Sequence, residues 1–450
     1  MRIAEIRKAP DTAWAHVRVD QSQVDDIPVI WEGDVAVIGG GSAGCSAAVA
    51  AARGGASTIL VENSGFFGGT ATAVLDTMYG FYAPGGEERV VGGIGWEVAS
   101  RLLSIGQAFL RPNTYGGGTG VTYEPEALKV EWDNRLLEVG VEALLHTWMS
   151  TVVMNGQTVV GIIVLTRRGP FRICARRFVD ATGDGDVAWA AGCALEIPEE
   201  GRRVQPLTAT FRVGGVVDPV DTESLHRLMR EAGDSAEYRL PRREGSSHRT
   251  VLPGIFHTNM TRVSGLDPTN PWAYTAAEIE GRSQVAEYVR FLKDKVPGYE
   301  KSFLLNTSVW IGARETRRLV GQYVLTREDV ITARQFEDAI ALCGAPLEDH
   351  DNGQSTIWQY VGETGFPNGS TYGVPYRCLL PVETIGLLVA GRCLSATHDA
   401  HASVRSIAQC LALGQAAGTA AAMSIKEGSD LAALDIQVLR QKLISEGAVL

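Results

Sequence analysis

The sequence predicts an α/β fold: a Rossmann-like domain built from two chain segments, with a mixed α+β domain inserted between them. Three observations carry this. An apolar strand, a glycine turn, an Ala-rich helix and a second strand follow one another in "DVAVIGGGSAGCSAAVAAARGGASTILVEN", Asp34 to Asn63. A second apolar strand followed by a long Ala/Gly helix closes the chain in "IGLLVAGRC…IAQCLALGQAAGTAAAMSI". The stretch between has a different texture, with short strands and a charged helix. An α/β pattern at both ends around a different middle is the mark of an insertion. The boundaries read as a leader over 1–32, a first cofactor-side segment over 33–204, a substrate or cap domain over 205–374 and a second cofactor-side segment over 375–450.

The leader is mixed in character and ends in "IPVIWE". It has charges at Arg2, Glu5, Arg7, Lys8 and Asp11 and no apolar run of the kind a secretory signal needs. "DVAVIG" is β-branched and apolar, as a buried strand requires. "SAGCSAAVAAAR" is a helix stopped by Gly54 and Gly55, and "STILVE" is the next strand. "EPEALKVEWDNRLLEVGVEALLHT" reads as helix, Gly140 stop and strand. "MSTVVMNGQTVVGIIVLTRRGPFRICARRFVDAT" reads as antiparallel strands turned at Asn155-Gly156. The middle holds strands such as "PLTATFRVGG" and a helix near "TAAEIEGRSQVAEYVRFLKD". The long uncharged segment Ile407 to Ile425 is mostly Ala and Gly. It reads as a buried helix packed through Gly414 and Gly418 rather than a membrane span.

Composition sets the limits. The chain has 450 residues, 45% hydrophobic and 21% charged, with a net charge of −11. That balance suits a globular protein and argues against a nucleic-acid backbone as partner. Seven scattered cysteines without a C-x-x-C pair imply a reduced, cytoplasmic protein with neither disulfide framework nor iron–sulfur cluster. The partners expected are a small-molecule substrate and an electron acceptor that the sequence does not name. Neither nucleic acid nor membrane is expected, and a homo-oligomeric assembly is compatible with the sequence.

Gly39, Gly41 and Gly44 form G-x-G-x-x-G at a strand–helix junction. The first glycine permits the turn, the second lets backbone approach a pyrophosphate, and the third lets helix pack on strand. The helix N-terminus at Ser42 offers N–H groups to phosphate. Glu62, with Asn63 beside it, ends the second strand, where a carboxylate can accept from a ribose diol. Both FAD and NAD use such a unit, and Glu62 argues against NADP.

Further segments carry a family resemblance: "GGIGWEVASRL", "FVDATGDGDVAWAAG", "IGARETRRLVGQYVLTREDV", "LEDHDNG" and "VPYRCLLPVETIGLLVAGRCLSATHDAHASVRSIAQCLALGQAAGTAAA". With the glycine motif, they resemble the FAD-dependent oxidoreductases of the glutathione-reductase-2 type, close to the HdrA-like flavoproteins. The resemblance covers about 30–450. It implies FAD as cofactor, with the pyrophosphate at Gly39, Gly41, Ser42 and Gly44 and the adenosine ribose at Glu62. It implies that Met149 meets adenine through its backbone and that Thr182 and Gly183 lie near the adenosine half. Gly391 and Arg392 approach the ribityl–pyrophosphate stretch, where many relatives have Gly-Asp. "GFFGGTAT", with Gly69 and Thr70, supplies small residues that approach the flavin. A helix beginning near Ser403, Val404 and Arg405 points its N-terminus at the flavin C2 carbonyl. The cysteine cluster of HdrA-type proteins is missing.

The activity implied is that of an FAD-dependent dehydrogenase or oxidase moving a hydride between a small organic substrate and flavin N5. The alternatives are a flavin monooxygenase using external NAD(P)H and a non-catalytic FAD electron-transfer subunit. No second G-x-G-x-x-G unit marks an NADPH domain. The base is expected among His398 and His401, read as a loop before the flavin-facing helix. Arg314 is a candidate anion clamp. His350 and His257 are further candidates from the middle region, and Tyr372 and Tyr376 flank Pro375, where the chain re-enters the cofactor-side part; each is also readable as structural. Arg317 and Arg318 read as salt-bridge partners, and Cys393 and Cys410 as small buried hydrophobes. His398, Asp399 and His401 stand on a loop rather than one helical face, so no metal is expected.

Overall fold

A computed structural model describes residues 19–197, 204–350 and 357–450. Residues 1–18 of the leader and Asp351–Gly353 of "LEDHDNG" lie outside the described residues.

The main sheet is organised around five parallel strand ends. β1 (Val29–Ile38) is flanked on one side by β2 (Thr58–Val61), which pairs in turn with β3 (Glu142–Leu144). β1 begins inside the segment read as leader, with Val29 opposite Arg172. β4 (Trp148–Asn155), β5 (Thr158–Thr166) and β6 (Gly169–Asp180) form an antiparallel meander. Its first turn uses Gly156 at φ +61°, a left-handed conformation glycine adopts without strain. The last residues of β6, Phe178–Asp180, run parallel to β1 and to the late strand Leu387–Val389. The C-terminal ends of all five parallel strands, Ile38, Val61, Leu144, Asp180 and Val389, therefore share one edge of the sheet. In open α/β sheets this is the edge where ligands bind.

Helix α1 (Ser42–Arg53) covers the sheet and is buried from Ala43 to Ala51. The inserted part follows. β7 (Phe211–Gly214), β8 (Ser246–Arg249), β9 (Phe256–Asn259) and β10 (Phe303–Thr307) form a four-stranded antiparallel sheet in the order β8-β9-β7-β10. The 25-residue helix α2 (Pro271–Lys295) packs with this sheet. Asn270 caps it by accepting from the Trp272 N–H at 2.9 Å, and Pro271 occupies the first turn. The apolar cluster of the insert runs from Leu207 to Ile311. Leu325, Ile340, Tyr372 and Val374 pack instead into the cluster that contains α1.

β11 (Leu347–Asp349) and β12 (Leu387–Val389) lead to two helices, α3 (His398–Val404) and α4 (Ile407–Glu427). The stretch expected as a loop around His398 and His401 is thus helical. Thr397 caps α3 with its side chain toward the Ala400 N–H. The helix expected to begin near Ser403 begins at Ile407, because Ser403 and Val404 end α3 and Arg405 is its C-cap. α4 lies directly on α1. A Cβ on Gly414 would overlap the Ala43 carbonyl, and one on Gly418 the Ala47 carbonyl. Only glycine permits that approach. Among the described residues, no helix is long and apolar enough to cross a membrane.

Candidate functional site

A cavity of about 820 Å³ runs along the carboxyl edge of the sheet and into the insert. At its first end stands the glycine turn. Gly39 has φ +94°, and its N–H donates to the Val61 carbonyl at 2.8 Å. A Cβ there would run into the Ala181 backbone, and one on Gly44 would overlap the Gly39 carbonyl. Gly44 is therefore a packing residue behind the cavity wall. Gly41 differs: a Cβ there would meet nothing nearer than Gly69 Cα, at 3.9 Å. Its open face lines the cavity with Ser42, Gly69 and Thr70. Gly41 caps α1 without a side-chain acceptor, so the first-turn donors are left for a ligand.

Glu62 is buried at the rim of the cavity. Its Oε2 accepts from the Gly40 N–H and its Oε1 from the Ser64 N–H, both at 2.7 Å. The carboxylate fixes the glycine turn and keeps lone pairs for a diol. Asn63, Met149, Thr182 and Gly183 line the same end. This donor and acceptor set fits a dinucleotide. The cavity lies at the upper end of the range of about 300–1,000 Å³ for small-molecule and cofactor sites.

Gly391 and Arg392 line the middle of the cavity. Arg392 Nη2 donates to Asp184 Oδ1 at 2.8 Å and its Nη1 to Thr316 Oγ1 at 3.2 Å. The helix N-terminus facing the cavity is that of α4, where Ser406 and Ile407 line the wall and no side chain caps the helix. The role expected of Ser403 and Val404 falls to these residues, for Ser403 and Val404 are buried away from the cavity. Arg405 does line it.

Two of the expected catalytic residues line the cavity and three do not. His401 is fully buried, with Nε2 2.7 Å from the Arg392 carbonyl oxygen. Burial and the nearby Arg405 and Arg318 push its pKa well below the usual value, so it is a neutral donor that holds the cofactor loop. His398 turns away from the cavity. Its Nδ1 is 2.9 Å from Glu315 Oε2, and it lies close to Asp349 and Asp399. Tyr372 is buried behind the wall, its hydroxyl 2.8 Å from Ser403 Oγ, which donates to the Ala345 carbonyl at 2.5 Å. All three brace the site.

Arg314 and His350 do line the cavity, in its far chamber. Arg314 Nη1 donates to the Pro206 carbonyl at 2.6 Å and to Thr208 Oγ1. Burial, then the like charges of Arg242 and Arg405, push its guanidinium well below its ordinary pKa. His350 Nε2 lies 2.9 Å from Glu348 Oε1. Burial and Arg314 push the imidazole down to about 3. Burial opposes charge on Glu348, but His350, Arg405 and Arg314 outweigh it and hold the carboxyl at about 2. The pair is a carboxylate accepting from a neutral imidazole.

Sequence reading missed Arg242 and Glu348. Arg242 is buried, and its Nη1 donates to Asn259 Oδ1 at 3.1 Å. Nothing local distinguishes it from Arg239 or Arg243. Glu348 had a signal: it stands two residues before His350 at a strand, and alternate strand residues share a face. This part of the cavity is lined by Arg242, Arg314 and Arg405, and Glu348 lies close enough to Arg314 and Arg405 to favour their charge. Arg405 Nε is buried with no hydrogen-bond partner among the described residues.

None of the curated proteins matches the chain in sequence. Among solved structures, it is similar to a geranylgeranyl bacteriochlorophyll reductase-like protein from Thermoplasma acidophilum (13% identity, 92% of this chain and 84% of that one, TM-score 0.49). It is also similar to p-nitrophenol 4-monooxygenase from Pseudomonas putida (11%, 93% and 85%, TM-score 0.49). A third is anhydrotetracycline hydroxylase from Streptomyces rimosus (12%, 92% and 65%, TM-score 0.46). At such identities they speak to neither substrate nor mechanism. The family model described as FAD dependent oxidoreductase matches residues 34–443. The chain belongs to that family: it is an oxidoreductase, and its cofactor is FAD.

Proposed function

We propose that this enzyme exchanges a hydride with a small organic substrate bearing a carboxylate or an equivalent anionic group. The observation that carries the reading is the far end of the cavity, lined by Arg242, Arg314, Arg405 and Glu348, where the Arg405 Nε is buried without a hydrogen-bond partner among the described residues. Burial opposes the charge of Arg314 and of Arg405, and a bound anion would relieve that cost.

When bound, FAD supplies a hydride acceptor or donor at flavin N5. Gly41, Ser42 and the α1 N-terminus hold the pyrophosphate, and Glu62 the ribose. His401 fixes the Arg392 backbone, and the α4 N-terminus at Ser406 and Ile407 would favour negative charge on a cofactor bound along that wall. Arg314 and Arg405 bind and orient the substrate anion. Glu348 and His350 hold or accept the proton that accompanies the hydride. In the free enzyme burial and then Arg314 hold His350 at about 3, while, against burial, His350, Arg405 and Arg314 hold Glu348 at about 2, so neither acts as a base near neutral pH. An anionic substrate offsets the arginine contribution and shifts both pKa values upward. Proton transfer is thereby coupled to substrate binding.

Within the family we assign the chain to the glutathione-reductase-2 type, on the strength of the late strand β12 joining the first segment's sheet beside β6. We place it in the cytoplasm because all seven cysteines are free. The reading is tested by anaerobic mixing of FAD-loaded protein with a panel of α-hydroxy acids and other small carboxylates. Loss of the oxidised flavin absorbance with one of them supports it. Reduction by NAD(P)H alone would move the reading to an oxygenase with an external reductant.

A further inference from the structure

Outside the cavity, three titratable side chains from distant parts of the chain meet in the interior. His248 on β8 and His257 on β9 are a cross-strand pair. They face Asp76, which precedes the short strand Thr77–Met78 of the cofactor-side part. All three are buried. One ligand atom from each lies within 4.8 Å of the others. His248 Nε2 is 2.9 Å and His257 Nδ1 3.4 Å from the same oxygen, Asp76 Oδ1.

His257 carries a conflict. Its Nε2 is 3.2 Å from the Val74 carbonyl oxygen, and its Nδ1 faces the carboxylate. Both neighbours are acceptors, and a neutral imidazole has one N–H. With that proton given to Val74, the Nδ1 lone pair meets the carboxylate. Neither His257 Nδ1 nor Asp76 Oδ2 has a hydrogen-bond partner among the described residues. Leaving such atoms buried and unpaired is costly. A second proton on His257 would give a charge-assisted bond, for which about 2.7–2.9 Å is usual, and 3.4 Å is too long. A cation shared by the three side chains removes the conflict. Metal–ligand bonds of about 2.0–2.1 Å at tetrahedral or octahedral angles put neighbouring ligand atoms about 2.8–3.4 Å apart, which covers both histidine–Asp76 separations. The His257 donation to a backbone carbonyl is the outer hydrogen bond that metal-bound histidines usually make.

We propose that Asp76, His248 and His257 bind one divalent transition-metal ion of the zinc type. The ion ties the inserted sheet to the cofactor-side part. It also steadies the cavity wall at Val74, whose carbonyl accepts from Thr210 Oγ1 as well. The site does not depend on the substrate reading.

The test uses the full-length FAD-loaded protein, purified without a metal-affinity step or chelator, and elemental analysis. On the order of one zinc-class ion per chain is expected. It should be lost in Asp76→Asn and in His257→Gln, and kept in His398→Gln, which alters the other acidic cluster. Cobalt(II) added to chelator-treated protein should give the visible bands of a nitrogen/oxygen-ligated ion. A wild-type protein that retains no metal and gives no cobalt spectrum overturns the proposal, whether or not the variants fold. Metal that persists in both variants, or that His398→Gln removes, overturns it as well.

Discussion

The Nε2 of His401 lies 2.7 Å from the carbonyl oxygen of Arg392, and this contact joins α3 to the loop that borders the cofactor cavity. His401 is wholly buried and holds backbone rather than substrate. His401→Asn should therefore weaken FAD binding. If the whole cost of a buried unpaired carbonyl, about 1–3 kcal/mol, falls on the cofactor-bound form, Kd rises by roughly five- to 150-fold. Titration of the apoprotein with FAD measures it, and an unchanged Kd would refute the role.

Two glycines of one motif should respond differently. Gly44→Ala places a Cβ against the Gly39 carbonyl, so thermal stability should fall by at least about 1–3 kcal/mol. Gly41→Ala has room in the fold but intrudes on the cavity. It should keep the melting temperature and lose FAD affinity. Equal melting temperatures for the two variants would contradict the assignment.

Glu62 serves the backbone and the ligand together. Glu62→Gln replaces a carboxylate that accepts two N–H groups with an amide that presents a donor to one of them. FAD affinity should drop by about 2 kcal/mol, roughly thirtyfold. Calorimetric titration reads this directly.

His350 makes stability depend on pH. Its folded pKa is pushed down to about 3, so between there and the usual histidine range only the unfolded chain takes up the proton. Stability is then lost as pH falls through that window. Between pH 7 and pH 5 the loss from this group is about 2 kcal/mol. Glu348, held at about 2, adds a further loss at still lower pH, since its stabilisation is present above the ordinary carboxylate pKa. Denaturant melts at pH 7 and pH 5 should show a smaller difference in His350→Gln than in the wild type.

The parts of this site that are local in sequence were legible, and the assembled parts were not. Gly39, Gly41, Gly44 and Glu62 announce themselves because strand, turn, helix and second strand adjoin one another in the chain. The helix α3 is hard to see in the sequence because two histidines and Asp399 are weak helix formers, although Thr397 supplies its cap. The burial of His401 could not be seen, since it depends on how α3 packs. Arg242, Arg314 and Arg405 meet only after the insert folds over the sheet edge. So do Asp76, His248 and His257, which come from a bend and two strands in two chain regions.

The central claim, that FAD acts on an anion held by the arginine chamber, is tested most directly with Arg405→Gln. Anaerobic reduction of bound FAD by the best carboxylate substrate should be followed in wild type and variant. The account predicts that the variant keeps FAD and that its half-saturating substrate concentration rises by about two orders of magnitude, as expected for loss of a charged, desolvated contact. Identical saturation curves for the two proteins would contradict it.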